Sequence, residues 1–144
     1  MLSSELELIV KVAASSLLGG LLGFERERKR KPAGLRTHML VSLGSTLFTI
    51  LSTQAFPGSD PARVASYIVV GIGFIGAGAI IQSKDRVIGI TTASSLWIAS
   101  AIGMAVGVGY YLAACLVTAV AFAALLSGRL ERKQASLENR RAEG

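Results

Sequence analysis

The longest uncharged stretch of the chain runs from Val87 to Gly128. It contains 42 residues, and none of them is Asp, Glu, Lys, Arg or His. A soluble domain of 144 residues cannot hide such a segment, because small domains leave much of their chain exposed. A helix that crosses hydrocarbon needs about 20 apolar residues. The stretch therefore predicts membrane-spanning helices.

The uncharged stretch is too long for a single crossing. As one helix it would span about 63 Å, twice a hydrocarbon core of about 30 Å. The segment Gly107–Tyr111 favours a turn, since its glycines permit one and its tyrosine pair suits the membrane interface. Two spans are predicted here, Thr92–Val106 and Tyr111–Gly128.

Three further apolar segments precede this pair. Their bounds are Leu6–Phe24, Thr37–Phe56 and Val64–Ile81, and a short polar loop follows at Gln82–Arg86. The sequence thus predicts an all-α polytopic membrane protein with about five transmembrane helices. Residues 1–128 form the transmembrane domain, and residues 129–144 form a short charged tail that continues the fifth helix.

Charge predicts the orientation of these spans. Six Lys or Arg residues lie in the loop 25–38, two in the loop 82–88 and five in the tail 129–144. All three segments fall on one side of the membrane, while the other side has only Arg63 and, at its edge, Lys11. Because cytoplasmic loops are enriched in Lys and Arg, we expect the N-terminus outside and the C-terminus in the cytoplasm.

Other global features exclude several classes of protein. The net charge of +6 would suggest a nucleic-acid partner in a soluble protein, but here the basic residues flank apolar segments, so we expect the lipid bilayer as the partner and no nucleic acid. The single cysteine, Cys115, excludes an intrachain disulfide. Glu5 and Glu7 stand where a secretory signal would carry basic residues, so we expect the first segment to be retained.

Glycines are concentrated inside the predicted spans. Small residues let membrane helices approach closely, so we expect helix packing at Gly71, Gly73, Gly76, Gly78, Gly103 and Gly107. Residues 71–76 also match the dinucleotide fingerprint G-x-G-x-x-G, but no βαβ unit surrounds them. A functional alternative is a helix that bends around a substrate. Unpaired glycine faces predict a homo-oligomer.

The richest polar cluster lies in the loop after the first segment and contains Glu25, Arg26, Glu27, Arg36 and His38. The two glutamates are candidate ligands of a hard cation such as Mg²⁺, which prefers carboxylate oxygens and water. The simpler interpretation, which we favour, is that both glutamates pair with neighbouring arginines. The histidine is a candidate proton relay or a solvated residue at the membrane interface.

A second polar region precedes the fourth segment and contains Asp85, Thr91 and Thr92. The carboxylate of Asp85 is another candidate metal ligand. The threonines are predicted to cap the helix, or to line a polar path or hold an anion at its N-terminus. The sequence contains no Ser–His–Asp set, Walker loop or kinase motif, so we expect neither an enzyme nor a cofactor.

Four sequence blocks resemble the membrane domain of the MgtC/SapB family of bacterial inner-membrane proteins. The blocks occur in the expected order, and their bounds are Gly23–Glu27, Gly34–His38, Gly71–Gly78 and Gly89–Trp97. The resemblance implies a multi-spanning protein associated with growth at low magnesium. Some members are named magnesium transporters, and others regulate membrane complexes such as the ATP synthase.

The chain departs from the family pattern in two respects. Many members carry a regulatory C-terminal cytoplasmic domain, whereas this sequence ends sixteen residues after Gly128, so we do not expect regulation through such a domain. Some members have Asn where Thr91 stands, so no role of that side chain is carried over.

Two functional hypotheses follow. The first is magnesium homeostasis in the bacterial inner membrane, by binding or transport of Mg²⁺, with Glu25, Glu27 and Asp85 as candidate ligands. The second is a non-transporting module that binds another membrane complex, such as the ATP synthase, through its glycine-lined helix faces.

Overall fold

The chain forms five helices within the part that the structure, a computed structural model, describes. That part comprises residues 2–56, 58, 60–83 and 86–142. The helices are α1 (Leu2–Arg28), α2 (Leu35–Gln54), α3 (Ala62–Gly78), α4 (Ile90–Gly107) and α5 (Tyr111–Ala142). Each predicted segment overlaps one of these helices, so the prediction of five helices is confirmed. The fifth helix continues into the charged tail, as predicted.

Two of the described helical segments are long and apolar enough to cross a membrane. They are Ser4–Arg28 in α1 and Ile90–Gly107, which is the whole of α4. The segments Ala62–Gly78 and Tyr111–Ser127 are apolar but shorter. Hydroxyl side chains occur along α2, which lowers its hydropathy.

The polar loop predicted before α4 is instead part of a short hairpin. Strand β1 (Ile81–Ser83) pairs antiparallel with strand β2 (Arg86–Ile88), and Ile81 lies opposite Ile88. Isoleucine and valine on both sides of the polar residues favour extended backbone, which explains the pairing. Gly89 then takes a φ of +102° and starts α4. A side chain there would overlap the carbonyl oxygen of Ala79, so the position requires glycine.

Helix α4 lies at the centre of the fold. It contacts α1, α2, α3 and α5, and the most extensive helix contacts are those of α2 with α1 and with α4. One apolar cluster joins α1, α4 and α5 through Leu18, Leu22, Ile102, Val106 and Ala114. A smaller cluster joins Ala33, Ile72 and Leu96. Helices α3 and α5 therefore pack against α4 through different clusters.

The polarity of α2 is inverted relative to that of a helix in a soluble protein. The buried residues of α2 are all polar, namely His38, Ser42, Ser45, Thr46, Thr49 and Ser52. Large apolar side chains face outward instead, with Phe74 of α3 86% exposed and Leu112 of α5 75% exposed. Soluble monomers rarely expose apolar surface on this scale. Hydrocarbon is the environment in which such a surface is stable.

Candidate functional site at the ends of α1, α2 and α4

The site begins where α1 ends. Arg30 adopts the left-handed region with a φ of +50°, and the amide of Lys31 donates to the carbonyl of Arg26, which closes the helix. The chain then returns through Pro32 to α2. The first amide of α2, at Leu35, donates to Oε2 of Glu27 at 2.8 Å. Glu27 thus satisfies an orphan donor at the start of α2.

Close contact between α1 and α2 places His38 inside the bundle. A Cβ atom at Gly23 would lie 2.7 Å from the Cα of Leu35 and 2.9 Å from the Cβ of His38, so glycine permits the two helices to touch. The histidine side chain is fully buried as a result. It is not a solvated interface residue within the single chain.

His38 links α2 to α4 by hydrogen bonds on both ring nitrogens. Nδ1 lies 2.9 Å from the carbonyl oxygen of Gly34 and therefore donates. Nε2 lies 3.0 Å from Oγ of Ser95, which itself lies 2.8 Å from the carbonyl oxygen of Thr92. The serine has one proton, so it donates to Nε2 when the ring is neutral and to Thr92 when the ring is charged. The protonation of His38 is thereby coupled to the backbone of α4.

Arg26 connects α1 to the same turn of α4. Its Nη2 donates to Oγ1 of Thr92 at 3.0 Å, and both side chains are buried. The Nε of Arg26 has no hydrogen-bond partner among the described residues. A buried guanidinium with an unused donor is costly, so this residue marks a functional or strained position.

Glu25 is the most deeply buried acidic residue in the described part of the chain, with 1% of its surface exposed. Its Oε1 lies 2.5 Å from Nζ of Lys29, and its Oε2 lies 3.9 Å from Nη1 of Arg26. Neither oxygen is aligned with a donor for a hydrogen bond within that part. The two observations agree if the contact with Lys29 is an ion pair without hydrogen-bond geometry. Lys29 instead donates to the carbonyl oxygen of Leu125, which ties α1 to α5.

The structure separates the two glutamates that the sequence suggested as a pair. Residues two apart on a helix do not share a face, so Glu25 is buried against the bundle while Glu27 is exposed and bonds to the start of α2. No group of three or more His, Cys, Asp or Glu side chains suitable for a metal ion occurs in the described residues. Asp85 lies outside those residues. A Mg²⁺ ion at Glu25 would therefore use one carboxylate and water.

The threonines differ from one another, and the capping prediction is wrong. Thr92 is buried and bonds to Arg26, whereas Thr91 is exposed. The N-cap is Gly89, without a side-chain hydrogen bond, because the hairpin delivers the chain in the left-handed conformation and α4 starts at Ile90. Arg36 is exposed and lies away from this cluster, on a groove between α2 and α3.

The predicted packing glycines fall into two groups. A Cβ at Gly103 would overlap the carbonyl oxygen of Ser42, and one at Gly107 would lie 2.7 Å from the Cβ of Thr49, so α4 touches α2 there. Gly76 is in ordinary contact with Ala93. A Cβ at Gly71, Gly73 or Gly78 would meet no described atom within 4 Å. Within one chain these three glycines face open space.

Sequence reasoning missed the hydroxyl face of α2. Ser42, Ser45, Thr46 and Thr49 recur at helical spacing and are all buried; Ser42 packs against Gly19 of α1, and the other three pack against α4. Oγ of Ser45 lies 2.8 Å from Oγ of Ser100, and Thr46 donates to the carbonyl of Gly103 at 2.8 Å. The spacing of hydroxyls along α2 would have revealed this face. Lys29 was also missed, because nothing in its sequence context distinguishes it from the neighbouring basic residues.

These features define a class of protein. A helical bundle with polar helix contacts inside, apolar side chains outside and a buried ionic cluster at one end is typical of membrane-associated proteins. The chain belongs to the MgtC family, whose family model matches residues 12–133. The family resemblance predicted from the four sequence blocks is therefore confirmed.

Several curated proteins are similar to this chain. It is 42% identical over 113 residues to the Escherichia coli K12 protein named "Putative magnesium transporter YhiD", covering 73% of this chain and 53% of that protein. It is 44% identical over 107 residues to "Protein MgtC" of Brucella abortus, covering 74% and 45% of the respective chains. "Protein SapB" of Bacillus subtilis is 39% identical over 114 residues, covering 73% and 49%.

The chain spans about half the length of the curated relatives it matches. No solved structure matches it.

Proposed function

We propose that this protein is a multi-pass protein of the bacterial inner membrane that acts in magnesium homeostasis by binding Mg²⁺ at Glu25 from the cytoplasmic side. The observation that carries the proposal is a buried carboxylate whose oxygens accept no hydrogen bond from the described residues. Ionisable residues inside a membrane bundle are functional candidates by default. The family membership and the printed name of the Escherichia coli relative support magnesium as the ion.

The chemistry of Glu25 fits a weakly held, hydrated Mg²⁺ ion. Magnesium keeps several waters and binds proteins through one or two carboxylates. Glu25 supplies one carboxylate close to the basic end of α1. The ammonium of Lys29 already occupies the position next to Oε1. Binding of Mg²⁺ therefore requires that Lys29 moves away, which also breaks its bond to Leu125 of α5.

This competition predicts opposite effects for two substitutions. Glu25→Gln is expected to abolish Mg²⁺ binding because it removes the only buried carboxylate of the site. Lys29→Met is expected to lower the Kd for Mg²⁺ by about tenfold or more. The partly buried ion pair of Lys29 with Glu25 must be broken before Mg²⁺ binds, and we expect this to cost more than about 1.4 kcal/mol, which is a factor of ten in Kd. Isothermal titration of the purified protein in detergent measures both values.

The control for this titration is Glu5→Gln, which removes an exposed carboxylate near the other end of α1. Its Kd should equal that of the unchanged protein. Circular dichroism of each variant shows whether the helices remain. An unchanged Kd in folded Glu25→Gln would show that Glu25 does not hold the ion, and an unchanged Kd in Lys29→Met would show that Lys29 does not compete with it.

Topology is a separate expectation. Five crossings place the two ends of the chain on opposite sides of the membrane. With the basic loops in the cytoplasm, the C-terminus also lies in the cytoplasm. Green fluorescent protein fused after Gly144 is expected to fluoresce, and alkaline phosphatase fused there is expected to be inactive. A fusion within the loop between α2 and α3, at Gly58, should give the reverse pattern. Active phosphatase after Gly144 would contradict the orientation.

A second candidate function is a non-transporting regulatory module that binds another membrane complex, such as the ATP synthase. The observation that favours it is the tight contact of α2 with α4 at Gly103 and Gly107. An ion cannot pass between these helices unless they separate. In liposomes loaded with a Mg²⁺ indicator, this candidate predicts no influx above that of lipid alone. Influx that depends on Glu25 would instead assign transport.

A further inference from the structure

A groove of about 660 Å³ opens on the surface of the bundle between α2 and α3, with α4 behind it. It exists because two glycines replace side chains. A Cβ at Gly44 of α2 or at Gly71 of α3 would meet no described atom within 4 Å. The walls are almost wholly apolar, with Leu40 and Phe48 from α2 and Ile75 from α3 among them.

Two of the four hydroxyl-bearing residues that line the groove, Ser45 and Ser100, are already paired with each other. Oγ of Ser45 and Oγ of Ser100 lie 2.8 Å apart, so they place little demand on an occupant for hydrogen bonds. The occupant that fits this wall is a hydrocarbon.

One end of the groove is cationic. Arg36 lies at the start of α2, is exposed, and forms no ion pair with any described residue. The hydroxyl-bearing Thr37 lies beside it. Basic groups between helices at the cytoplasmic surface attract the phosphates of anionic lipids. A free guanidinium above an apolar groove matches the two parts of such a lipid.

The length of the groove suits an acyl chain. From Arg36 to Phe48 it follows twelve residues of α2, or about 18 Å, close to the thickness of one leaflet at about 15 Å. An acyl chain that starts beside Arg36 would therefore run along the apolar wall for the depth of one leaflet.

We propose that this groove binds one acyl chain of an anionic phospholipid whose phosphate pairs with Arg36. The proposal rests on the membrane location and on the inward orientation proposed above. It assigns Arg36 to lipid rather than to the Mg²⁺ site. An occupied groove would also hold α3 against α2, where the direct contact between the two helices is less extensive than that of α2 with α4.

Native mass spectrometry of the purified protein tests the proposal with two probes, phosphatidylglycerol and phosphatidylcholine. Phosphatidylglycerol is expected to bind at one copy per chain and about tenfold more tightly. Gly71→Leu fills the groove and should abolish this binding. Gly73→Leu is the matched control, because Gly73 is on the same helix, faces open space and does not line the groove. Arg36→Gln should remove the preference for the anionic lipid and leave acyl binding intact.

Equal binding of both lipids, or full occupancy in Gly71→Leu, would overturn the proposal. Loss of a dimer rather than of lipid in Gly71→Leu would do so as well and would assign the groove to a second copy. Glycerol phosphate without acyl chains should not compete, which separates a lipid site from a phosphate site. Because the measurement in detergent depends neither on orientation nor on Mg²⁺, its failure is distinguishable from failure of the proposed function.

Discussion

Gly103→Ala is expected to lower the free energy of unfolding by about 3 kcal/mol, at the upper end of the range for an overpacked interface. The added methyl group would overlap the carbonyl oxygen of Ser42, a backbone atom that cannot rotate away. Helices α2 and α4 would have to separate, which would also lengthen the bond from Thr46 to the carbonyl of Gly103. Thermal unfolding in detergent, followed by circular dichroism, measures the loss.

The matched control for this substitution is Gly73→Ala. Gly73 lies in the middle of α3, and its Cβ would meet no described atom within 4 Å. Alanine is the better helix former by about 1 kcal/mol, so this variant should be as stable as the unchanged protein or more stable. If Gly103→Ala unfolds at the same temperature as Gly73→Ala, the contact between α2 and α4 is not as described.

Lys29→Met is expected to lower the free energy of unfolding by about 3 kcal/mol, because it removes the nearer counter-ion of the buried Glu25 carboxylate and leaves only Arg26, 3.9 Å away. The value is at the low end for a buried pair, since the lysine side chain keeps 21% of its surface exposed. Replacing both partners, Glu25→Gln with Lys29→Met, should recover most of the loss. The double-mutant cycle then gives the coupling energy of the pair.

A neighbouring basic residue provides the control for the lysine variant. Arg28 is exposed and lies over the ring of Phe24, 5.7 Å from its centroid. Arg28→Met should therefore cost only about 0.5 kcal/mol. Adding Mg²⁺ should restore the stability of Lys29→Met more than that of the unchanged protein, because a ligand that binds only the folded state stabilises it. Equal stability of the Lys29 and Arg28 variants would contradict a buried ion pair.

Loss of the arginine and histidine contacts should be milder than either of these effects. An interhelical hydrogen bond in a membrane is worth about 0.6 kcal/mol, so the bond from Arg26 to Thr92 and that from His38 to Ser95 are small terms. Their importance is positional. Together they fix the start of α4 against the end of α1 and the start of α2.

The sequence by itself determined the number and order of the helices. The uncharged stretch Val87–Gly128 requires two helices with a turn, and the charged loops separate the remaining three. This is a local matter, since hydropathy over about 20 residues decides whether a segment is stable in hydrocarbon. The family was likewise evident from four short blocks, all of which lie within the matched range of residues 12–133.

Only the tertiary structure decided which polar residues are buried and which glycines are in contact. Glu25 and Glu27 are the same residue type in the same charged run, yet Glu25 is buried in the bundle whereas Glu27 is exposed and accepts a hydrogen bond from the start of α2. The rotation of α1 about its own axis decides which of the two is buried. Gly71 and Gly103 are equally small, yet only the second touches another backbone. Hydropathy indicates that a helix lies in lipid, whereas the rotation of the helix about its own axis depends on contacts with helices distant in sequence.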